Sequence, residues 1–315
     1  MNLKILRKLF CFTNLYSLYI LMFGLVFVFQ APPMIKHDEL THFKRVVTIT
    51  TGQFFCKNND SFLIPNKYVN MADTLAIGHK FPTEQFSYNF VNFDNEKQEK
   101  FNGCGLFFLG YVPNTLGFMV GNIFSNQEPV ISFYLSRLFG LIFFLCCLFL
   151  SLKNIKDDVM KTVLLVVSSI PMLLNQVSAV GYDGVLISLS ILLFSWIIKI
   201  FEKKDAMSLW EKIVFLLLII GVISAKPVAY FPFVLLYFVI PYKKINPSFK
   251  KYLLSSFCFF AFIGIYYLIY LRYGIFNGPK ADINSIEFYY THFQRLLIRR
   301  DPLFFLKVFF APWRE

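Results

Sequence analysis

The stretch "ISFYLSRLFGLIFFLCCLFLSL", residues 131–152, carries a single charged residue, Arg137. A hydrocarbon core of about 30 Å takes about twenty helical residues, and only a helix or a closed barrel satisfies its own backbone there. The stretch therefore predicts a membrane-spanning helix with one cation in it. Similar runs lie on both sides, near 9–30, 160–178, 183–201, 212–225, 228–241 and 252–271. The fifth and sixth of the seven are short and are separated by Ser224-Ala225-Lys226-Pro227, which predicts a hairpin at the membrane surface. The first run follows Lys4, Arg7 and Lys8, but "QAPP" is a poor cleavage site, so it is read as a retained helix.

Composition agrees. Hydrophobic residues make up 57% of the 315 and charged residues 16%, so most of the chain cannot be solvated by water. The net charge of +12 does not indicate nucleic acid, because the bases sit between apolar runs. They fall in four clusters: Lys4, Arg7 and Lys8; Lys153, Lys156 and Lys161; Lys199, Lys203, Lys204 and Lys212; Lys243, Lys244, Lys250 and Lys251. Threading seven helices puts all four on one side, which the positive-inside rule makes cytoplasmic, together with the N-terminus. The six cysteines, at 11, 56, 104, 146, 147 and 258, show no CxxC spacing, so neither a zinc ribbon nor a disulfide framework is indicated.

The expected layout is one polytopic membrane domain over 1–315. Residues 31–130 form a large first extracytoplasmic loop, 131–271 a helical bundle, and 272–315 an extracytoplasmic C-terminal segment. Within the loop, "GLFFLGYVPNTLGFMVGNIF" (105–124) is apolar but interrupted by Pro113 and glycines, which suits an interfacial or re-entrant segment.

The loop opens on "PPMIKHDELTHFKR", Pro32 to Arg45. It resembles a zinc helix, but HExxH needs histidines four apart with the glutamate after the first. Here His37 and His42 are five apart, with Asp38 between His37 and Glu39. A helix starting at Asp38 would put Asp38, His42 and Arg45 on one face and Glu39 about a hundred degrees round. Asp38 as a simple helix cap is the bland alternative. Three more ionisable groups fall at the same outer level: Arg137, Asp183 in "SAVGYDGVL", and Lys226 in "SAKPVAYFP". Such groups at membrane depth are paired or functional as a rule, against the alternatives of snorkelling and capping.

Five blocks now occur in order: "PP…DExxHxxR…G" (Pro32 to Gly52), "GYVPNTLG" (110–117), "FYLSRL" (133–138), "IPMLLNQVSAVGYDGVLI" (170–187) and "SAKPVAYFPFVLLYFVIP" (224–241). Their succession resembles the bacterial membrane family called domain of unknown function 2142. That family is in turn similar to GT-C glycosyltransferases, polytopic enzymes with an acidic motif in the first extracytoplasmic loop and polyprenyl-phosphate sugars as donors. The resemblance implies an all-α integral membrane protein of about seven transmembrane helices, GT-C-like, in the bacterial cytoplasmic (inner) membrane. Members of the family continue through several more helices, so the chain is expected to be truncated at its C-terminus relative to them.

The implied activity is glycosyl transfer from a polyprenyl-phosphate sugar to an envelope glycan acceptor on the outer face, beside the lipid bilayer and without nucleic acid. Asp38 or Glu39 would take the acceptor proton. Arg137 and Lys226 would hold the donor phosphate, Asp183 would orient Lys226 or the sugar, and His42 and Arg45 would hold the loop or touch phosphate. The one cofactor these residues suggest is Mg2+ or Mn2+ on Asp38 and Glu39. Two rival readings are a transporter or flippase-like subunit and a non-catalytic scaffold of envelope polymer assembly.

Overall fold

The computed structural model describes residues 12–34, 36, 38–55, 61–69, 98–101, 103, 106–124, 129–225, 230–270 and 272. The first apolar run is α1 (Phe12–Phe29), and the charged stretch that follows opens α2 (Glu39–Thr50). A two-stranded antiparallel ribbon comes next, β1 (Phe62–Pro65) against β2 (Gln98–Phe101), pairing Phe62 with Phe101 and Pro65 with Gln98. It corrects the all-α expectation within the first loop. A 3-10 turn (Phe108–Tyr111) leads into α3 (Val112–Phe124).

The bundle proper begins with α4 (Pro129–Asn154), then α5 (Asp158–Ser168) and α6 (Pro171–Val177), α7 (Tyr182–Glu202) and α8 (Leu209–Ala225). After α8 come a 3-10 turn (Phe231–Leu235), α9 (Leu236–Val239), α10 (Tyr242–Ile245) and α11 (Phe249–Tyr270). Among the described residues, α4, α7 and α11 are long and apolar enough to cross a membrane, and the bent pair α5–α6 makes a fourth if it counts as one span. The expected sixth span is not one long helix. Nine residues of 3-10 and α turn rise about 16 Å, roughly half a hydrocarbon core.

Local chemistry explains the breaks. Pro171 has no N–H to continue α5 and forces Ile170 into an extended conformation, so α6 restarts at a 71° angle. Before α8, Ser208 and Glu211 form a reciprocal capping box: the Ser208 N–H donates to Glu211 Oε2 at 2.7 Å, and the Glu211 N–H donates to Ser208 Oγ at 3.3 Å. Within the 105–124 segment, Gly117 and Gly121 do not interrupt the helix. A Cβ on Gly117 would lie 2.3 Å from the Leu135 carbonyl oxygen, and one on Gly121 would lie 2.4 Å from the Ser132 Cα. The two glycines, four apart, let the α3 backbone press against α4, as small residues do between membrane helices.

Lysines from several described helices gather at one end. Lys153 lies at the end of α4, Lys199 in the last turn of α7, and Lys203 pairs with Glu211 at the start of α8 at 2.8 Å. Lys244 donates to the carbonyls of Lys203 and Lys204, bringing α10 to the same end. The opposite end gathers the C-terminus of α1, the N-termini of α2 and α7, and the 3-10 turn before α3. α11 shows lipid-sized apolar side chains outward, Leu254, Phe257 and Leu268 among them.

Candidate functional site

At the end away from the lysines, Arg137 is fully buried, about 12 Å along α4 from Pro129 at about 1.5 Å per residue. Its Nε donates to Glu39 Oε1 at 2.8 Å and its Nη2 to Glu39 Oε2 at 2.6 Å, a two-pronged ion pair with neither side chain exposed. Its remaining donors go to the carbonyls of Val28 (3.1 Å), Ala31 (2.6 Å) and Pro32 (3.0 Å). All five guanidinium N–H groups are thus used inside the protein. The carbonyls are those left open where α1 ends, and α1 has no basic residue of its own in its last turn.

Lys36, which the sequence reading passed over, does related work beside it. It is buried, and its Nζ donates to the carbonyls of Phe27 (3.3 Å), Asn175 (3.1 Å) and Ser178 (2.9 Å) and to Ser178 Oγ (3.0 Å). Lys36 thereby ties the C-terminus of α1 to that of α6. Burial, then the nearby Arg137 guanidinium, pull its pKa down to about 7 against the opposing influence of Glu39. Glu39 also accepts the Val180 N–H at 3.0 Å, so one carboxylate joins α2, α4 and the α6–α7 turn.

The two neighbouring acids have opposite environments. Glu39 is fully buried, whereas Asp38 is exposed. Asp38 occupies the N-cap position of α2 with φ 56° and makes no side-chain capping hydrogen bond, so the simple cap is not formed. Left-handed backbone at a non-glycine residue is uncommon, although Asp tolerates it better than most, and such positions cluster at functional sites. Met34 shares it, with φ 61°.

His42 and Arg45 lie on the buried side of α2. His42 Nδ1 and Tyr111 Oη are hydrogen-bonded at 2.8 Å, and the His42 ring meets the Tyr182 ring edge-on at 4.9 Å. A Cβ on Gly181 would stand 3.2 Å from His42 Cδ2, so a glycine there allows the approach. Arg45 is 1% exposed and donates to Leu106 O, Thr48 Oγ1, Gln53 O and Phe54 O, with its guanidinium 4.1 Å over the Phe62 ring. These bonds tie α2 to the backbone that follows it and to the segment before the 3-10 turn.

Asp183 is half-buried in the first turn of α7, where an acid suits the helix dipole, and Gly181 holds the cap position. Burial pushes the Tyr111 phenol well up, and among its neighbours Tyr182, Asp183 and Asp38 add to the shift while Arg45 opposes it. Asp38 and Asp183 therefore act on one phenol from different helices. Tyr111 and Tyr182 were legible only as members of "GYVPNTLG" and "GYDGVL".

A family model described as "Predicted membrane protein (DUF2142)" matches residues 21–299. The chain belongs to this family. No curated protein and no solved structure matches it. In this DUF2142 chain, Lys226, expected beside Arg137, lies outside the described residues, as do His37, Cys56 and Cys104. The residues at hand do not suit the Mg2+ or Mn2+ ion considered for Asp38 and Glu39. Among the described residues no group of three or more His, Cys, Asp or Glu could hold a metal, and both Glu39 oxygens are committed to Arg137 and Val180. In the DUF2142 chain Asp38 is exposed and Asp183 half-buried, both act on the Tyr111 phenol, and that phenol is hydrogen-bonded to His42, whose ring meets Tyr182.

Proposed function

We propose that this membrane protein is an inverting glycosyltransferase of the bacterial cytoplasmic membrane, using a polyprenyl-phosphate sugar to modify an envelope glycan on the outer face. The observation that supports this most is the separation of the two adjacent acids: Glu39 is buried against Arg137, whereas Asp38 is exposed on a left-handed cap and, with Asp183, acts on the Tyr111 phenol. Asp38 is the general base. An acceptor hydroxyl attacks the anomeric carbon, its proton passes to Asp38, and the bond to phosphate breaks with its electron pair leaving on polyprenyl phosphate. Asp183 orients the sugar hydroxyls. His42 and Arg45 hold the acidic loop, and Lys226 meets the phosphate. Arg137, with every donor spent, positions Glu39 and the chain before α2, a different employment from the phosphate clamp expected of it.

The placement of Lys153, Lys199 and Lys203 at the far end supports an outer location for the site, with the N-terminus cytoplasmic. The test is glycan analysis of envelope polymers from a deletion strain complemented with wild type, Asp38→Asn or Asp183→Asn. Loss of one sugar linkage in the deletion, restored by wild type and not by Asp38→Asn at equal membrane level, is expected. Full restoration by Asp38→Asn overturns base catalysis by this residue. If deletion changes polymer composition and neither variant does, a scaffold role replaces the enzyme.

A further inference from the structure

At the lysine end, remote from Asp38, a groove opens between α8 and α11 with Tyr237 of α9 as its floor. Leu216 lines one wall, Cys258, Phe259 and Phe262 the other, and Lys212 stands near the start of α8. The groove holds about 660 Å3 of empty space, its open side included. Its base is packed: the Tyr237 ring stacks on Phe259 at 4.4 Å, and Tyr237 Oη and Ser256 Oγ are hydrogen-bonded at 3.0 Å. Phe262 lies about 20 Å along α11 from Phe249, so the groove runs from the helix ends into the apolar zone.

Bases outnumber acids at its mouth, where Glu202, Asp205 and Glu211 stand among Lys203, Lys204, Lys212, Lys243, Lys244, Lys250 and Lys251. Lys203 is satisfied by Glu211, and Lys244 by the carbonyls of Lys203 and Lys204. Among the described residues Lys212 has no ion pair, and Lys243, Lys250 and Lys251 are exposed at the same end. A slot of aromatic and aliphatic walls suits an acyl chain, and a lysine at its mouth suits a phosphate that carries net charge. A free phosphate would have no use for the walls. A zwitterionic lipid would bring no net charge to the lysines.

We propose that this groove binds one acyl chain of an anionic phospholipid, with the phosphate paired to Lys212. The site is independent of transfer chemistry at Asp38. Cys258 supplies its own reporter, since it is an exposed free thiol on the wall. The experiment uses full-length protein in detergent, retaining Cys258 as the sole cysteine, and follows maleimide alkylation with phosphatidylglycerol or phosphatidylcholine added. Phosphatidylglycerol should slow Cys258 labelling several-fold and phosphatidylcholine should not, and Lys212→Gln should remove the difference. A parallel protein retaining only Cys146, exposed on α4, should label at the same rate with either lipid. Equal protection by both lipids, protection that survives Lys212→Gln, or a Cys258 already shielded without lipid would each overturn the proposal, the last by showing that the chain itself fills the groove.

Discussion

Asp38 and Glu39 are adjacent in sequence, one exposed on a left-handed cap and the other fully buried against Arg137. Breaking a buried ion pair from one side costs about 3–5 kcal/mol, because the partner is left charged and unpaired. Glu39→Gln and Arg137→Ala should therefore both lower the unfolding temperature of the detergent-solubilised protein sharply. Arg137→Lys should not rescue it, since one ammonium cannot reproduce the two-pronged contact and also reach the carbonyls at the end of α1. Asp38→Asn should unfold like wild type, because Asn adopts left-handed backbone readily and the side chain is exposed. Thermal curves of the four variants check this; an unaltered transition in Glu39→Gln would contradict the buried pair. Lys36 gives a pH signature. Its folded pKa, about 7, lies below the ordinary lysine value of 10.5, so between those limits the unfolded chain binds more protons. Stability should rise with pH through that window, by up to about 1.4 kcal/mol per unit from this group, and the penalty should be fully present below it. Unfolding midpoints measured from pH 7 to 10 should show that slope in wild type and a flatter one in Lys36→Met.

Among the elements, the α3–α4 contact is the one most dependent on absent side chains. Gly117→Ala and Gly121→Ala each drive a Cβ against backbone atoms of α4, which cannot rotate away, so each should destabilise by about 1–3 kcal/mol. Gly264→Ala in α11 meets nothing within 4 Å and should be neutral or gain up to about 1 kcal/mol from helix propensity. Folded yield and unfolding temperature of the three variants provide the comparison. The sequence showed these glycines as interruptions because periodicity alone cannot say whether a missing Cβ loosens a helix or admits a neighbour. The bend at Pro171 had a local cause as well, yet the 160–178 run was read as one helix because its hydropathy is continuous across the proline.

At the scale of the whole molecule, Lys153, Lys199, Lys203 and Lys244 lie at the end opposite Asp38 and Glu39, and the expected outcome is opposite labelling. With native cysteines replaced, Thr51→Cys should react with a membrane-impermeant maleimide in intact cells, and Lys204→Cys should react only after permeabilisation. Both positions are exposed in the folded chain. Reversed sidedness would overturn the orientation and, with it, the assignment of an outer-face substrate.

The sequence by itself determined the class of molecule, the family and the short list of ionisable residues. Each of these depends on local composition or on the order of short blocks, which need no knowledge of what touches what. Tertiary structure alone decided which acid is buried, that Arg137 answers Glu39 across 98 positions of chain, and that Lys36 and Arg137 close the open end of α1. Those pairings depend on where helices pack, and an exposed carboxylate and a buried one are written with nearly the same letters. Burial sets their surroundings, since one carboxylate is enclosed with its guanidinium while its neighbour faces solvent.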